Sequence, residues 1–167
     1  LKAGSTESPN STELIRSKKA LAVQQLISCG LPEERIEQIW ANNPDEYFER
    51  ESVDNIVWHT QEQLEAEPGK PLVAVKELEA NDHPEGATLI FIHTEDAEFL
   101  FAKTTAAFER LRLNIVNARV ITSLNAFCLD TYTVLEPDGK PVGANPRRIQ
   151  EIETILIQSL AQTTDKI

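Results

Sequence analysis

The chain has no methionine, only two cysteines and six glycines, and aromatic side chains are 6% of its 167 residues. Each shortage excludes something. A sequence that opens on Leu1 and lacks methionine is expected to be an excised or processed segment of a longer chain. Cys29 and Cys128 stand far apart with no histidine pair near either, which is not metal-site spacing. They read instead as two small buried apolar groups in a reducing cytoplasmic compartment. No apolar run approaches the ~20 residues that cross a bilayer, and no basic start followed by an apolar stretch marks a leader peptide. No membrane partner is therefore expected. Basic residues are also scarce. Sixteen against twenty-seven acidic residues leave a net charge of −11, which repels polyphosphate backbones and argues against nucleic acid as a partner.

What is present falls into four stretches. Residues 1–9 are polar and rich in Ser, Thr, Gly and Pro, and are expected to form a disordered lead. Residues 10–66 read as short helices. Asn10 with Glu13 resembles a capping box, and Gly30 stops the helix that follows. Pro32 restarts a second helix, Asn43-Pro44 breaks it, a short helix runs from Asp45 to Arg50, and Ser52 caps another to about Glu65. The acidic residues Glu33, Glu34, Glu37, Asp45, Glu46, Glu49, Glu51 and Asp54 crowd this region and read as a solvated face. Few large apolar groups remain, so the region is expected to be the end of a larger helical body without a core of its own. Residues 67–71, Glu-Pro-Gly-Lys-Pro, form a linker.

From Leu72 the pattern changes to strands. Leu72–Lys76 and Thr88–His93 are apolar runs joined by a polar loop over 80–86. A helix over 98–112 puts Leu100, Phe101, Thr104, Ala107, Phe108 and Leu111 on one face. Strands over 115–122 and 127–135 meet through a hairpin loop at Ser123–Ala126. Asn145 then caps, and Pro146 begins, a helix carrying Ile149, Ile152, Leu156 and Leu160. The fold class is therefore α+β, a ferredoxin-like βαββα unit over 72–167 preceded by a short-helix region. The same order occurs in RNA-recognition domains, but Phe127 and Tyr132 lie at opposite strand parity with no basic cluster around them. The Leu72–Lys76 strand is expected beside Thr88–His93, antiparallel to it.

This order resembles the ACT domain, an amino-acid-binding βαββαβ unit. A closer resemblance is carried by Tyr47-Phe48, Ile56-Val57-Trp58-His59-Thr60, Lys70-Pro71-Leu72-Val73, Phe99-Leu100-Phe101-Ala102, Asn117-Ala118-Arg119, Leu129-Asp130-Thr131-Tyr132 and Leu135-Glu136-Pro137-Asp138-Gly139. These residues are similar to the C-terminal part of the bacterial protein-PII uridylyltransferase/uridylyl-removing enzyme family, over most of the chain. The resemblance implies the end of that family's helical region and a first ACT domain, truncated before its fourth strand. It implies a parent that uses Mg, reads glutamine as effector, and modifies the PII signalling protein. Partners would then be the other domains of the parent, PII through the parent, and a second copy of this chain.

Neither the Gly-Ser and paired-aspartate signature of nucleotidyl transfer nor a His-Asp hydrolase signature occurs, and none of His59, His83 or His93 is followed by Asp. No catalytic residue, metal or cofactor is expected on this segment. The candidate ligand-binding residues lie in the loop before the first long helix of the sheet domain, and binding there is expected to be weak or undetectable. In amino-acid-binding ACT domains that loop reads Asp-x-Pro-Gly, which opens helix N–H groups to a carboxylate. Here it reads Asp96-Ala97-Glu98-Phe99, with His93 beside it. Asp96 is retained and could simply cap the helix, while Glu98 would compete with an anionic ligand for the same donors. A second expectation concerns the sheet. If the hairpin loop is Ser123–Ala126, Arg119 faces Asp130 as an ion pair on the face away from the helices, with Ile121, Tyr132, Cys128 and Val134 around it. That face would be covered by a partner. Two readings follow: a regulatory sensor segment, or a structural domain–domain or dimerisation module without a ligand.

Overall fold

The computed structural model describes residues 9–78 and 86–161. The expected lead before Pro9, most of the loop over 80–86 and the tail 162–167 lie outside them. The described residues divide into two compact units, one up to Glu65 together with Ser123–Asn125, the other comprising the rest from Ala66 onward.

The first unit is four helices, α1 (Pro9–Ser28), α2 (Glu33–Trp40), α3 (Asp45–Arg50) and α4 (Val53–Glu65). α1 begins one residue before the expected cap Asn10. Gly30 ends it at φ 92°, with the Leu31 N–H reaching back to the Leu26 carbonyl at 3.1 Å, a bond that needs the left-handed backbone. Ser52 caps α4 as expected, its Oγ accepting from the Asn55 N–H at 3.1 Å.

The expectation that this region lacks a core is wrong. Leu26, Ile36, Trp40, Tyr47, Phe48, Ile56 and Trp58 are all buried, and the Phe48 ring meets Trp40 and Tyr47 edge-on at 5.3 and 5.1 Å. Aromatic side chains bury roughly 150–250 Å² each, so a few of them close a small helical core that a count of aliphatic residues would miss. The acidic residues are exposed, as a solvated face should be, except Glu51. Glu51 is fully buried and accepts from the Asn55 side-chain amide at 3.1 Å. Lys18 Nζ donates to the Glu49 and Glu51 carbonyls at 2.9 and 2.8 Å and so caps the end of α3.

The second unit contains β1 (Leu72–Leu78), β2 (Ala87–His93), α5 (Leu100–Arg110), β3 (Asn114–Arg119), β4 (Asp130–Leu135) and α6 (Pro146–Ala161). The strand order is β1-β2-β4-β3 with every neighbouring pair antiparallel. β1 therefore pairs with central β2, as expected, and the unit is an α+β ferredoxin-like fold of ACT type. Val73, Ile90, Ile92, Tyr132 and Val134 from one sheet face join Phe108 and Leu111 at the end of α5, and Ile152, Leu156 and Leu160 of α6, in one apolar core. α6 is capped by Asn145, whose carbonyl takes the Ile149 N–H at 3.0 Å. Arg148 clamps the start of α6 by donating from Nε and Nη2 to the Glu136 carboxylate, both at 2.8 Å, and from Nη2 to the Leu111 carbonyl at 2.6 Å.

Two expectations for this sheet fail together. Arg119 pairs with Thr131, not Asp130: Thr122 meets Cys128, one residue beyond the pairing a four-residue loop gives, and only past a bulge between Ile115 and Asn117 does the expected register appear. The face holding Cys128, Tyr132 and Val134 is not open but lies under α5 and α6. Asp130 has the same strand parity, is 4% exposed, and accepts from the Ile121 N–H at 3.2 Å. Residues at the opposite parity, Leu89, Phe91, Leu129 and Thr131, are buried as well. A strand pairing slipped by one residue exchanges every side chain between faces, so this shift separates Arg119 from Asp130 altogether.

Candidate functional site

The loop from Thr94 to Phe99 joins central β2 to α5, and backbone bonds fasten it to the strand beside it. The Thr94 carbonyl accepts from the Cys128 N–H at 2.8 Å, Glu95 pairs with Phe127, and the Asp96 N–H donates to the Ala126 carbonyl at 2.9 Å. Asp96 does not cap the helix. It stands four positions before Leu100, and the N-cap is Phe99, with no side-chain cap bond at all. Neither Asp96 nor Glu98 therefore occupies the N–H groups that a helix start leaves without intrahelical partners.

Phe99 has φ 65° and ψ 15°, a left-handed conformation that L side chains avoid. This is the position at which the Asp-x-Pro-Gly loop carries glycine. A residue with a Cβ thus holds a backbone that glycine adopts freely, and its ring is left 67% exposed.

Beneath the loop sits a buried polar group of side chains. Asp130 is pushed up to about 7, chiefly by burial, with the negative charge of Asp96 adding to the effect. The Ile121 N–H and the Cys128 thiol pull it back only in part. Cys128 Sγ lies 3.5 Å from the Ile92 carbonyl, and burial together with the Asp130 charge holds its thiol protonated. Tyr132 is fully buried between the Phe108 ring at 5.0 Å and the Phe101 ring at 6.5 Å, and its hydroxyl has no hydrogen-bond partner. The Thr104 hydroxyl is near enough to favour the phenolate slightly but donates instead to the Leu100 carbonyl at 2.8 Å. Burial and the charge of Asp130 keep the Tyr132 phenol neutral.

His93 belongs to a different environment. It ends β2 with its ring stacked on Phe127 at 5.1 Å and Phe91 at 6.3 Å, and burial lowers it to about 4. It is a neutral aromatic surface at ordinary pH. The expected ligand-site residues are thus divided: Asp96, Ala97 and Glu98 share the loop, and His93 faces the other side of the sheet from Asp130. The expected interaction residues are divided too, with Tyr132 and Asp130 in the core, Ile121 buried beside them, and Arg119 opposite Thr131. Sequence reasoning named Asp130 but placed it on an open face and missed its burial. The available signal was parity: Cys128, just before β4, and Tyr132 and Val134 within it form the more apolar set, and Asp130 shares their parity.

Among the described residues no three His, Cys, Asp or Glu side chains come together as a metal site. Among them, too, no helix is long and apolar enough to cross a membrane. The family described as "Uridylyltransferase GlnD fifth domain" matches residues 10–62. Three curated relatives, each named a bifunctional uridylyltransferase/uridylyl-removing enzyme, align along nearly the whole chain. The one from Stutzerimonas stutzeri is 42% identical over 99% of this chain and 18% of its own length. Those from Azotobacter vinelandii and Pseudomonas aeruginosa are each 40% identical, over 99% and 92% of this chain and 18% and 17% of their own lengths. The chain spans less than a fifth of the length of these relatives. No solved structure matches it.

Proposed function

We propose, from the premise that this chain belongs as a segment to the bifunctional uridylyltransferase/uridylyl-removing enzyme family, that its own work is regulatory and that its effector is glutamine. The parent would attach UMP to the PII protein when glutamine is scarce and remove it when glutamine is plentiful. The helical and sheet units described above would carry that signal and perform no chemistry. The observation that supports the reading is the start of α5, where Phe99 has a left-handed backbone and no side chain caps the helix. Such a start presents N–H groups suited to a carboxylate. Glu98 stands on the same loop and adds negative charge near it, so affinity of the isolated segment should be weak, in the millimolar range or about 4 kcal/mol.

The test is an amide NMR titration of the chain with glutamine, using glutamate as control. Glutamine should shift the resonances of residues 94–102 at millimolar concentration and glutamate should not. Saturating glutamine without any shift in that loop would remove the reading.

A second reading has its own support. β3 is the sheet edge opposite β1, and it exposes Ile115 and Val116, with Val120 exposed just beyond it. Unpaired edges carrying apolar residues invite strand addition. On that reading the segment is a dimerisation module without a ligand. Sedimentation showing a concentration-dependent dimer in a preparation blind to glutamine would favour it.

A further inference from the structure

The two edges of the sheet are built differently. Every residue of β1 is buried or half-buried, whereas Asn114, Ile115, Val116 and Asn117 of β3 are exposed, as is Val120 just past it. Among the described residues no strand lies on the outer side of β3. An edge in this state offers its backbone N–H and C=O groups to an extended chain that reaches it.

Side chains decide which chain that is. In a molecule of net charge −11, residues 110–129 hold three arginines, Arg110, Arg112 and Arg119, and no acidic residue. Glu136, which follows β4, is taken up by Arg148 at 2.8 Å. A second β3 laid antiparallel on the first would bring the arginines before one strand toward the arginine ending the other, at both ends of the pair. Like charges facing across strands are destabilising, so this edge resists its own copy and attracts an acidic strand.

The register gives that attraction an order. Ile115 pairs with Val134 and Ala118 with Tyr132, so both stand in the row that faces the apolar core and its helices. Asn117 and Arg119, opposite Thr133 and Thr131, stand in the row that faces the other way. A strand added beside β3 therefore meets apolar side chains with one of its rows and an arginine with the other.

We infer that the outer edge of β3 is a docking site for an extended peptide segment in which apolar and acidic residues alternate. This is the edge on which the second reading seats another copy, but the occupant is a different chain and no effector is needed. Main-chain bonds supply the affinity, while the arginines and the apolar row supply the choice of partner.

The experiment is an amide NMR titration of the whole chain with three end-capped peptides. The first is Val-Glu-Val-Glu-Val-Glu-Val, the second carries Lys in place of every Glu, and the third carries Pro in place of the central Glu. The first should shift the amides of residues 114–120 and slow their hydrogen exchange, and should bind more weakly as ionic strength approaches about 1 M, where the screening length is about 3 Å. The lysine peptide should leave β3 unmoved, and the proline peptide, which breaks the ladder, should bind much more weakly than the first. Arg112 stands at φ 61°, a backbone that glycine adopts without strain, so Arg112→Gly removes a charge and leaves the fold in place. It should weaken the acidic peptide about two- to fivefold, the worth of one exposed ion pair. Equal binding of the acidic and lysine peptides would refute the chemistry assigned to the partner. Equal binding of the acidic and proline peptides would refute strand addition. If no peptide moves β3, the site is wrong and the arginines only guard the edge. Dimerisation through β3 without peptide would give the edge to a second copy and overturn the inference.

Discussion

In the helical unit several buried polar groups find each other. The Tyr47 hydroxyl and His59 Nδ1 are 2.7 Å apart, Trp40 Nε1 donates to Thr60 Oγ1 at 3.0 Å, and the Asn55 amide donates to Glu51. In the sheet unit the Tyr132 hydroxyl meets no partner, and Asp130 has the Ile121 N–H and the Cys128 thiol against the cost of its burial. The helical unit has leftovers as well, Asn43 Nδ2 and Gln63 Oε1, so what sets the sheet unit apart is the buried acid, raised chiefly by its burial, two residues from its leftover hydroxyl. The difference teaches where to look for function. Matched polar groups specify a core, whereas a buried acid with perturbed titration marks a candidate site.

The largest effect that would break this comparison is electrostatic. Asp130 is raised from an ordinary 3.8 to about 7, so folding favours its neutral form. The sign follows directly: this group leaves stability intact below about pH 4, erodes it as pH rises toward 7, and costs no more above that. The full cost is up to about 4 kcal/mol. Asp130→Asn should therefore be more stable than the parent chain at pH 8 by a few kcal/mol and nearly equal at pH 4. Denaturant melts of both proteins across that range decide it. A variant destabilised equally at both pH values would mean that Asp130 belongs with the matched groups.

A sharper contrast comes from the same change made in each unit. Tyr47→Phe strips His59 Nδ1 of its partner inside a core and should cost about 1–3 kcal/mol. Tyr132→Phe removes a hydroxyl that has no partner and should be neutral, or stabilising by up to about 1 kcal/mol. Urea midpoints for the two variants measure this directly. Equal losses would erase the distinction between the units.

Much of the fold was legible because its signals are local. Asp45–Arg50 needs only the proline before it, and the Ser52 and Asn145 caps need only their own short side chains. The slot of Leu72–Leu78 followed from the strand order, since a hairpin partner of central β2 has one free side to take. What failed depended on a single residue. At the open end of the hairpin Asn114 pairs with Leu135 and Ile115 with Val134, the register that a four-residue loop gives, but from the bulge to the loop every pair is advanced by one. Nothing in Ile115-Val116-Asn117 announces a bulge. The face assignment failed for a different reason. It assumed that a charge excludes itself from the core, and Asp130 is the residue that breaks this rule. The helical core was underestimated because its apolar area is concentrated in Trp40, Tyr47, Phe48 and Trp58 instead of spread over aliphatic residues.

The smallest effect tests whether the loop above Asp130 keeps its shape for a purpose. Phe99 adopts φ 65° with its ring largely in solvent, so packing does little to compensate the left-handed backbone, which costs a non-glycine residue about 1–2 kcal/mol. Glycine adopts the same conformation without that strain, though it loses more freedom on folding. Phe99→Gly should therefore raise stability by a net of about 0.5–1 kcal/mol. If the strain serves nothing, stability is all that changes. If the loop exists to hold the start of α5 open for a carboxylate, the glycine variant should bind glutamine at least as well as the parent chain, because the backbone it prefers is the one already present. A melting curve and an NMR titration of the same variant separate these cases. A Phe99→Gly protein that gains stability but loses glutamine binding would show that the exposed ring, not the backbone beneath it, is what meets the ligand.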